Sequence, residues 1–138
     1  MSWDGGYKAA DVLPVRIVPD KYGKPFSEAL SFREIGAVGG GRNSGFQALN
    51  LAAQFGVAKI VLVGFDMHGT HFYGRNRWPN ASNPDQHSMK RWADIIATAA
   101  PVLAARGIEV LNASRDSALT CFRKVDLNAT DPDRRDGP

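Results

Sequence analysis

Three stretches of this 138-residue chain hold residue types from which a binding or catalytic site is built. The first is Gly39-Gly-Gly-Arg-Asn-Ser-Gly45, which leads into a segment of helical spacing. Glycines let a backbone approach a ligand closely, and the free N–H groups at a helix start favour an anion. Arg42 adds a fixed charge, and Asn43 and Ser44 add polar contacts. Gly41, Arg42, Asn43, Ser44 and Gly45 are therefore candidate anion-binding residues. The stretch lacks the Gly-Lys-Ser/Thr ending of a P-loop and does not fit Gly-x-Gly-x-x-Gly in its proper context. As a bare pattern it is equally a glycine-rich turn with an ordinary cap.

The second stretch is Gly64-Phe-Asp-Met-His68, with His71 three residues on. A carboxylate leaving a strand at its ligand edge is placed to hold a hydroxyl or a cation, so Asp66 is a candidate catalytic residue; capping of the next turn is its plain alternative. Asp66, His68 and His71 are weak candidates for a divalent metal, since their spacing matches no fixed metal signature. The third stretch opens a helix at His87, whose near-neutral pKa suits a general base. A histidine that merely caps or packs fits the same position. Asn112-Ala-Ser114, with Arg115, offers further polar contacts for a ligand at the third strand end. Phe72, Tyr73 and Trp78 either stack on a ring or pin their loop. Cys121, in apolar surroundings, reads as a buried structural thiol.

These residues need elements to position them. Residues 12–18 read as an edge strand, broken by prolines. Residues 35–38 form a second apolar run. Residues 44–55 show helical spacing through Phe46, Leu49, Ala52 and Ala53, with Asn43 or Ser44 as N-cap and Gly56 as the stop. Residues 59–65 are continuously apolar and β-branched, which predicts a strand buried on both faces. A loop of about 20 residues follows, long enough to be functional or disordered. Residues 87–106 predict a long helix, kinked or reset by Pro101 and stopped by Gly107, with Met89, Trp92, Ile95, Ile96, Ala99, Val102 and Leu103 on one side. A strand at 108–111 and a helical turn at 117–122 complete the order. The expected fold is α/β: a small Rossmann-like parallel sheet with helices on its faces and ligands beyond its carboxyl ends. The expected division is an irregular segment 1–34, the α/β domain 35–127 and a flexible tail 128–138.

Composition bounds the rest. Forty-three per cent of residues are hydrophobic and 22% charged, as in globular domains, so whole-chain disorder is excluded. One cysteine excludes an internal disulfide and a Cys-rich zinc module. The net charge of +3 is carried by scattered basic residues, which suits an anionic ligand and does not mark a nucleic-acid binder. No apolar run spans a bilayer and no signal segment opens the chain, so the expected address is the cytoplasm, of a bacterial host if the protein is phage-encoded. Exposed edges of so small a sheet predict a homo-oligomer or docking on a partner.

Taken in order, Asn43-Ser-Gly-Phe-Gln-Ala-Leu, Ala-Lys-Ile-Val-Leu-Val-Gly-Phe-Asp66, His87-Ser88 and Gly-Ile-Glu-Val-Leu-Asn112 resemble the carboxyl half of bacterial sialyltransferases of glycosyltransferase family 42. They also resemble the related 6-hydroxymethylpterin diphosphokinase-like proteins, and most of all a group of tailed-phage and prophage proteins. The likeness covers about residues 35–125. It implies that Asn43, Ser44 and Gly45 lie against the phosphate or sugar of a nucleotide-sugar donor, that Asp66 lies near it, and that His87 stands where the transferase base stands. Family members carry a strand and a glycine-rich nucleotide loop upstream. Only 34 residues precede Ile35 here and none reads as that loop, so the resemblance implies a fold lacking the family's N-terminal half. Three functions follow as expectations: a transferase-like protein binding a nucleotide or nucleotide-sugar, a non-enzymatic phage scaffold or interaction protein, and a metal-dependent hydrolase. A nucleotide-sugar donor is the expected cofactor-like ligand, and a divalent metal is not expected.

Overall fold

A computed structural model describes residues 14–23, 27–69, 74–78 and 83–127. The expected tail at 128–138, His71, Phe72 and Tyr73 lie outside these. The elements run β1 (Arg16–Val18), β2 (Ala37–Gly39), α1 (Ser44–Gln54), β3 (Lys59–Leu62), α2 (Gln86–Ala105), β4 (Glu109–Asn112) and β5 (Arg123–Lys124). The strand pairs among the described residues are all parallel, and α2 makes the crossover from β3 to β4. This is a small α/β fold.

Both helices are set by their ends. Asn43 is extended, and its Oδ1 accepts from the Phe46 N–H at 2.8 Å, capping α1. Asp85 caps α2 in the same way, accepting from Ser88 N–H at 2.7 Å. α2 ends in a Schellman motif: Gly107, with φ +72°, donates to the Ala104 carbonyl, and Ile108 donates to Leu103. Ile108 and Leu103 then enter the same core. Contrary to the expected reset, α2 runs unbroken through Pro101. That residue is exposed, so its ring points away from the core and water can reach the carbonyl it leaves unbonded.

The core joins Phe46, Leu49 and Ala53 of α1, Ile95, Ile96, Ala99 and Leu103 of α2, and Ile60, Leu62 and Val110 of the sheet. Both helices thus share one core with one sheet face. The expectation of a strand buried on both faces is corrected: β3 alternates, with Val61 37% and Val63 58% exposed. The exposed face instead carries a charged row, in which Glu109 pairs with Lys59 at 3.1 Å and Arg123 at 3.0 Å. The predicted helical turn at 117–122 is also corrected. The chain there bends at Ala118 and again at 121–122 and continues into β5, which the charged pair Arg123-Lys124 did not announce.

The single expected sheet is two: β1-β2 and β3-β4-β5. Side chains of α1 supply the reason. Gln54 Nε2 donates to the Ala37 carbonyl at 2.9 Å, and Asn50 Oδ1 accepts from Gly39 N–H at 2.8 Å. Residues 37 and 39 turn these atoms away from β1, so α1 occupies the edge at which β2 would bond another strand. Asn50 is fully buried and also bonds both Ser31 backbone groups, at 2.9 and 2.8 Å. Among the described residues, no helix is long and apolar enough to cross a membrane.

Two outcomes are expected. Asn50→Ala leaves two buried N–H groups, of Ser31 and Gly39, unsatisfied and should cost about 3 kcal/mol, or roughly 10 °C in Tm, by thermal unfolding. The hydrogen bonds from Ser88 hold the Asp85 carboxyl below its ordinary pKa. A lowered folded-state pKa adds stability above the unfolded value of about 4 and loses it as pH falls through the folded value. Asp85→Asn keeps the cap but removes this dependence, so its stability should fall less steeply than wild type between about pH 5 and 2 in urea titrations.

Candidate functional site

A cavity of about 480 Å³ opens where the start of α1, the turn after β3 and the start of α2 meet. That size suits a small-molecule ligand. Asn43, Ser44 and Gly45 form one wall, residues 64–68 the second, and Pro84, Met89 and Trp92 the third.

The first wall is a helix start with work left to do. Asn43 spends its side chain on structure, capping Phe46 and donating from Nδ2 to the Gly41 carbonyl at 2.9 Å. The Ser44 hydroxyl and the Ser44 and Gly45 N–H groups have no partner among the described residues, as the first turn of a helix leaves them. A Cβ at Gly45 would stand 2.9 Å from the Phe65 ring, so any larger residue forces that ring to shift. Gly41 does not line the cavity; a Cβ there would lie 2.2 Å from Phe46, so it serves packing. Arg42, at φ +58°, turns the other way and pairs with Glu28 at 2.9 Å.

The second wall is tied to the chain after β4. Ser114 Oγ accepts from Phe65 N–H at 2.8 Å, and Ser117 Oγ donates to the Phe65 carbonyl at 2.5 Å. The Ala118 N–H donates to the Asp66 carbonyl at 2.8 Å. His68 Nε2 donates to the Asp116 carbonyl, which can only accept, so in the neutral ring Nδ1 is the acceptor. Met67, like Arg42, is a non-glycine residue in the left-handed region, at φ +57°. Such conformations persist where surrounding bonds impose them, and they cluster at ligand sites. The Asp66 carboxylate is exposed and has no partner among the described residues.

The expected residues therefore divide. Asn43, Ser44, Gly45, Asp66 and His68 come together around one cavity. Asn112 and Ser114 are buried and bond inward: Asn112 Oδ1 accepts from Ser114 N–H at 3.0 Å, so both position the second wall. His87 is exposed in the first turn of α2 and is not among the residues lining the cavity. Asp66 and His68 have no third metal-ligating partner among the described residues. Trp78 is 79% exposed, away from this cavity. Phe65, Met67, Met89 and Trp92 were not singled out as ligand contacts, because half-buried apolar residues on a core-facing pattern are indistinguishable from core. Cys121 is half-buried against the core, and burial pushes its thiol pKa up.

The molecule is thus a small α/β protein with one cavity at the meeting of two helix starts and a strand end. No protein-family model, curated protein or solved structure is significantly similar to this chain.

Ser114→Ala removes the acceptor of the Phe65 N–H while leaving residues 64–68 solvent-accessible. It should cost about 1–2 kcal/mol in urea unfolding and raise hydrogen exchange locally at Phe65 and Asp66.

Proposed function

We propose that this cavity binds a nucleotide or nucleotide-sugar, as the likeness to glycosyltransferase family 42 and to phage proteins suggests. The observation that carries the reading is the convergence of Ser44, Gly45 and Asp66 on one concavity from separate elements. A phosphate sits on the Ser44 and Gly45 N–H groups and the Ser44 hydroxyl, at the positive end of the α1 dipole. Asp66 accepts from sugar hydroxyls. Phe65 and Trp92 offer apolar faces to a base. If a glycosyl group is transferred, the acceptor hydroxyl attacks the anomeric carbon and gives its proton to Asp66 or His68, which line the cavity, rather than to His87, while the anomeric C–O bond breaks and the nucleotide phosphate leaves towards the α1 start.

A second reading, an interaction protein that keeps the α/β scaffold, draws on the exposed apolar side chains of Val61 and Val63.

The test is thermal unfolding with CMP, CDP, UDP, GDP, ATP and CMP-sialic acid. A ligand at about 100 times its Kd adds roughly 2.7 kcal/mol, a shift of several degrees at this size. Ser44→Ala and Asp66→Asn change exposed side chains and should abolish the shift without lowering the unliganded Tm. No shift with any nucleotide rejects the nucleotide reading and leaves the interaction protein.

A further inference from the structure

On the far side of the 40–45 turn lies a larger cavity, of about 880 Å³. Lys21, Arg33, Arg42 and Arg91 line it, against the carboxylates of Asp20 and Glu28. Arg42 comes from the turn before α1 and Arg91 from α2, yet both guanidinium groups donate to one atom. Glu28 Oε1 lies 2.9 Å from Arg42 Nε and 2.9 Å from Arg91 Nη2. These two hydrogen bonds hold the Glu28 carboxyl below its ordinary pKa, so it is ionised at neutral pH.

One carboxylate is a poor match for this pair. It brings a single negative charge to two guanidinium groups, each of which carries five N–H donors. A phosphoryl dianion brings two charges and enough oxygens for forked bonds to both arginines. Lys21 and Arg33 add two more cations to the lining, so four basic side chains stand against two carboxylates and the cavity keeps an excess of positive charge for an anion.

We propose that Arg42 and Arg91 form a site for a small phosphorylated ligand, in which Glu28 holds the place of the phosphoryl group until the ligand displaces it. The exchange is easy because all three side chains are about half exposed, and ion pairs at such positions contribute little. Glu28 lies between Ser27 and Ala29 outside any helix or strand, so it can swing out without breaking an element. The site is separate from the nucleotide cavity and does not depend on that reading.

Isothermal titration calorimetry with inorganic pyrophosphate and with glycerol phosphate, at fixed ionic strength, tests this. Removing the competing charge in Glu28→Gln should tighten binding at least about tenfold over wild type. Arg42→Gln with Arg91→Gln, in the Glu28→Gln background, should loosen it by at least as much. Ser44→Ala with Asp66→Asn should leave it unchanged, which separates this site from the other cavity. Should the arginine double variant fail to fold, Arg91→Lys, which keeps the charge and loses the fork, should still weaken binding several-fold. Failure of Glu28→Gln to bind either compound, binding no tighter than wild type, or indifference to the arginine changes overturns the proposal.

Discussion

The amide of Asn50 holds the molecule's two halves in register. It is buried in the middle of α1, where a polar group costs stability unless every atom is bonded. Here its oxygen accepts twice and its nitrogen donates, tying Ser31 and Gly39 to the helix. Gln47 and Gln54 extend the same stripe. Gln47 donates to the Gly40 carbonyl at 3.1 Å, while Gln54 accepts from Gly36 and donates to Ser31 and Ala37. One face of α1 therefore stands in for a neighbouring strand along β2. A three-residue strand with one strand partner becomes fully committed, and the segment before it is bound to the helix rather than left as a leader.

That arrangement decides where the site falls. With Gly39 and Gly40 fastened to α1, the chain has only residues 41–43 in which to turn into the helix. The turn is made by two left-handed residues, Gly41 and Arg42, and closed by the Asn43 cap. The opposite wall is fastened by the same kind of bond, side chain to backbone, from Ser114 and Ser117. Both walls are therefore held by side-chain hydrogen bonds to backbone as well as by apolar packing, and the hydrogen bonds, being directional, fix their orientation. Preorganisation of this kind lowers the ordering cost a ligand meets.

Much of this was legible in the residues and some was not. α1 and α2 follow from apolar spacing and their stops, and the Asn43 cap from residue type. The 59–65 run misled because β-branched residues favour a pleat whether one face or both is covered. Val61 and Val63 differ from Ile60 and Leu62 only in what lies above them, which local sequence does not encode. The Gln47, Asn50, Gln54 stripe has the spacing of a solvent-facing helix side, and nothing in composition separates water from a strand edge as its partner. Asn112 and Ser114 failed in the opposite direction: polar residues at a strand end suggest a ligand, yet here they bond inward. β5 was invisible because two charged residues pair with β4 only through backbone.

The 40–45 turn also separates two electrostatic environments that its sequence runs together. Read as a string, Arg42 and Ser44 are two contacts to one phosphate. The left-handed conformation of Arg42 sends its guanidinium towards Glu28 and Arg91, and the helix start sends Ser44 towards Asp66. One side gathers cations around a carboxylate. The other offers two N–H groups and a hydroxyl opposite an unpaired carboxylate. A bare polyanion is repelled by Asp66 and has no countercharge there beyond a helix dipole worth about half a unit charge. On the proposed reading, the ligand carries its negative charge at one end and hydroxyl donors at the other, which is the polarity of a nucleoside phosphate or nucleotide-sugar and not of free phosphate.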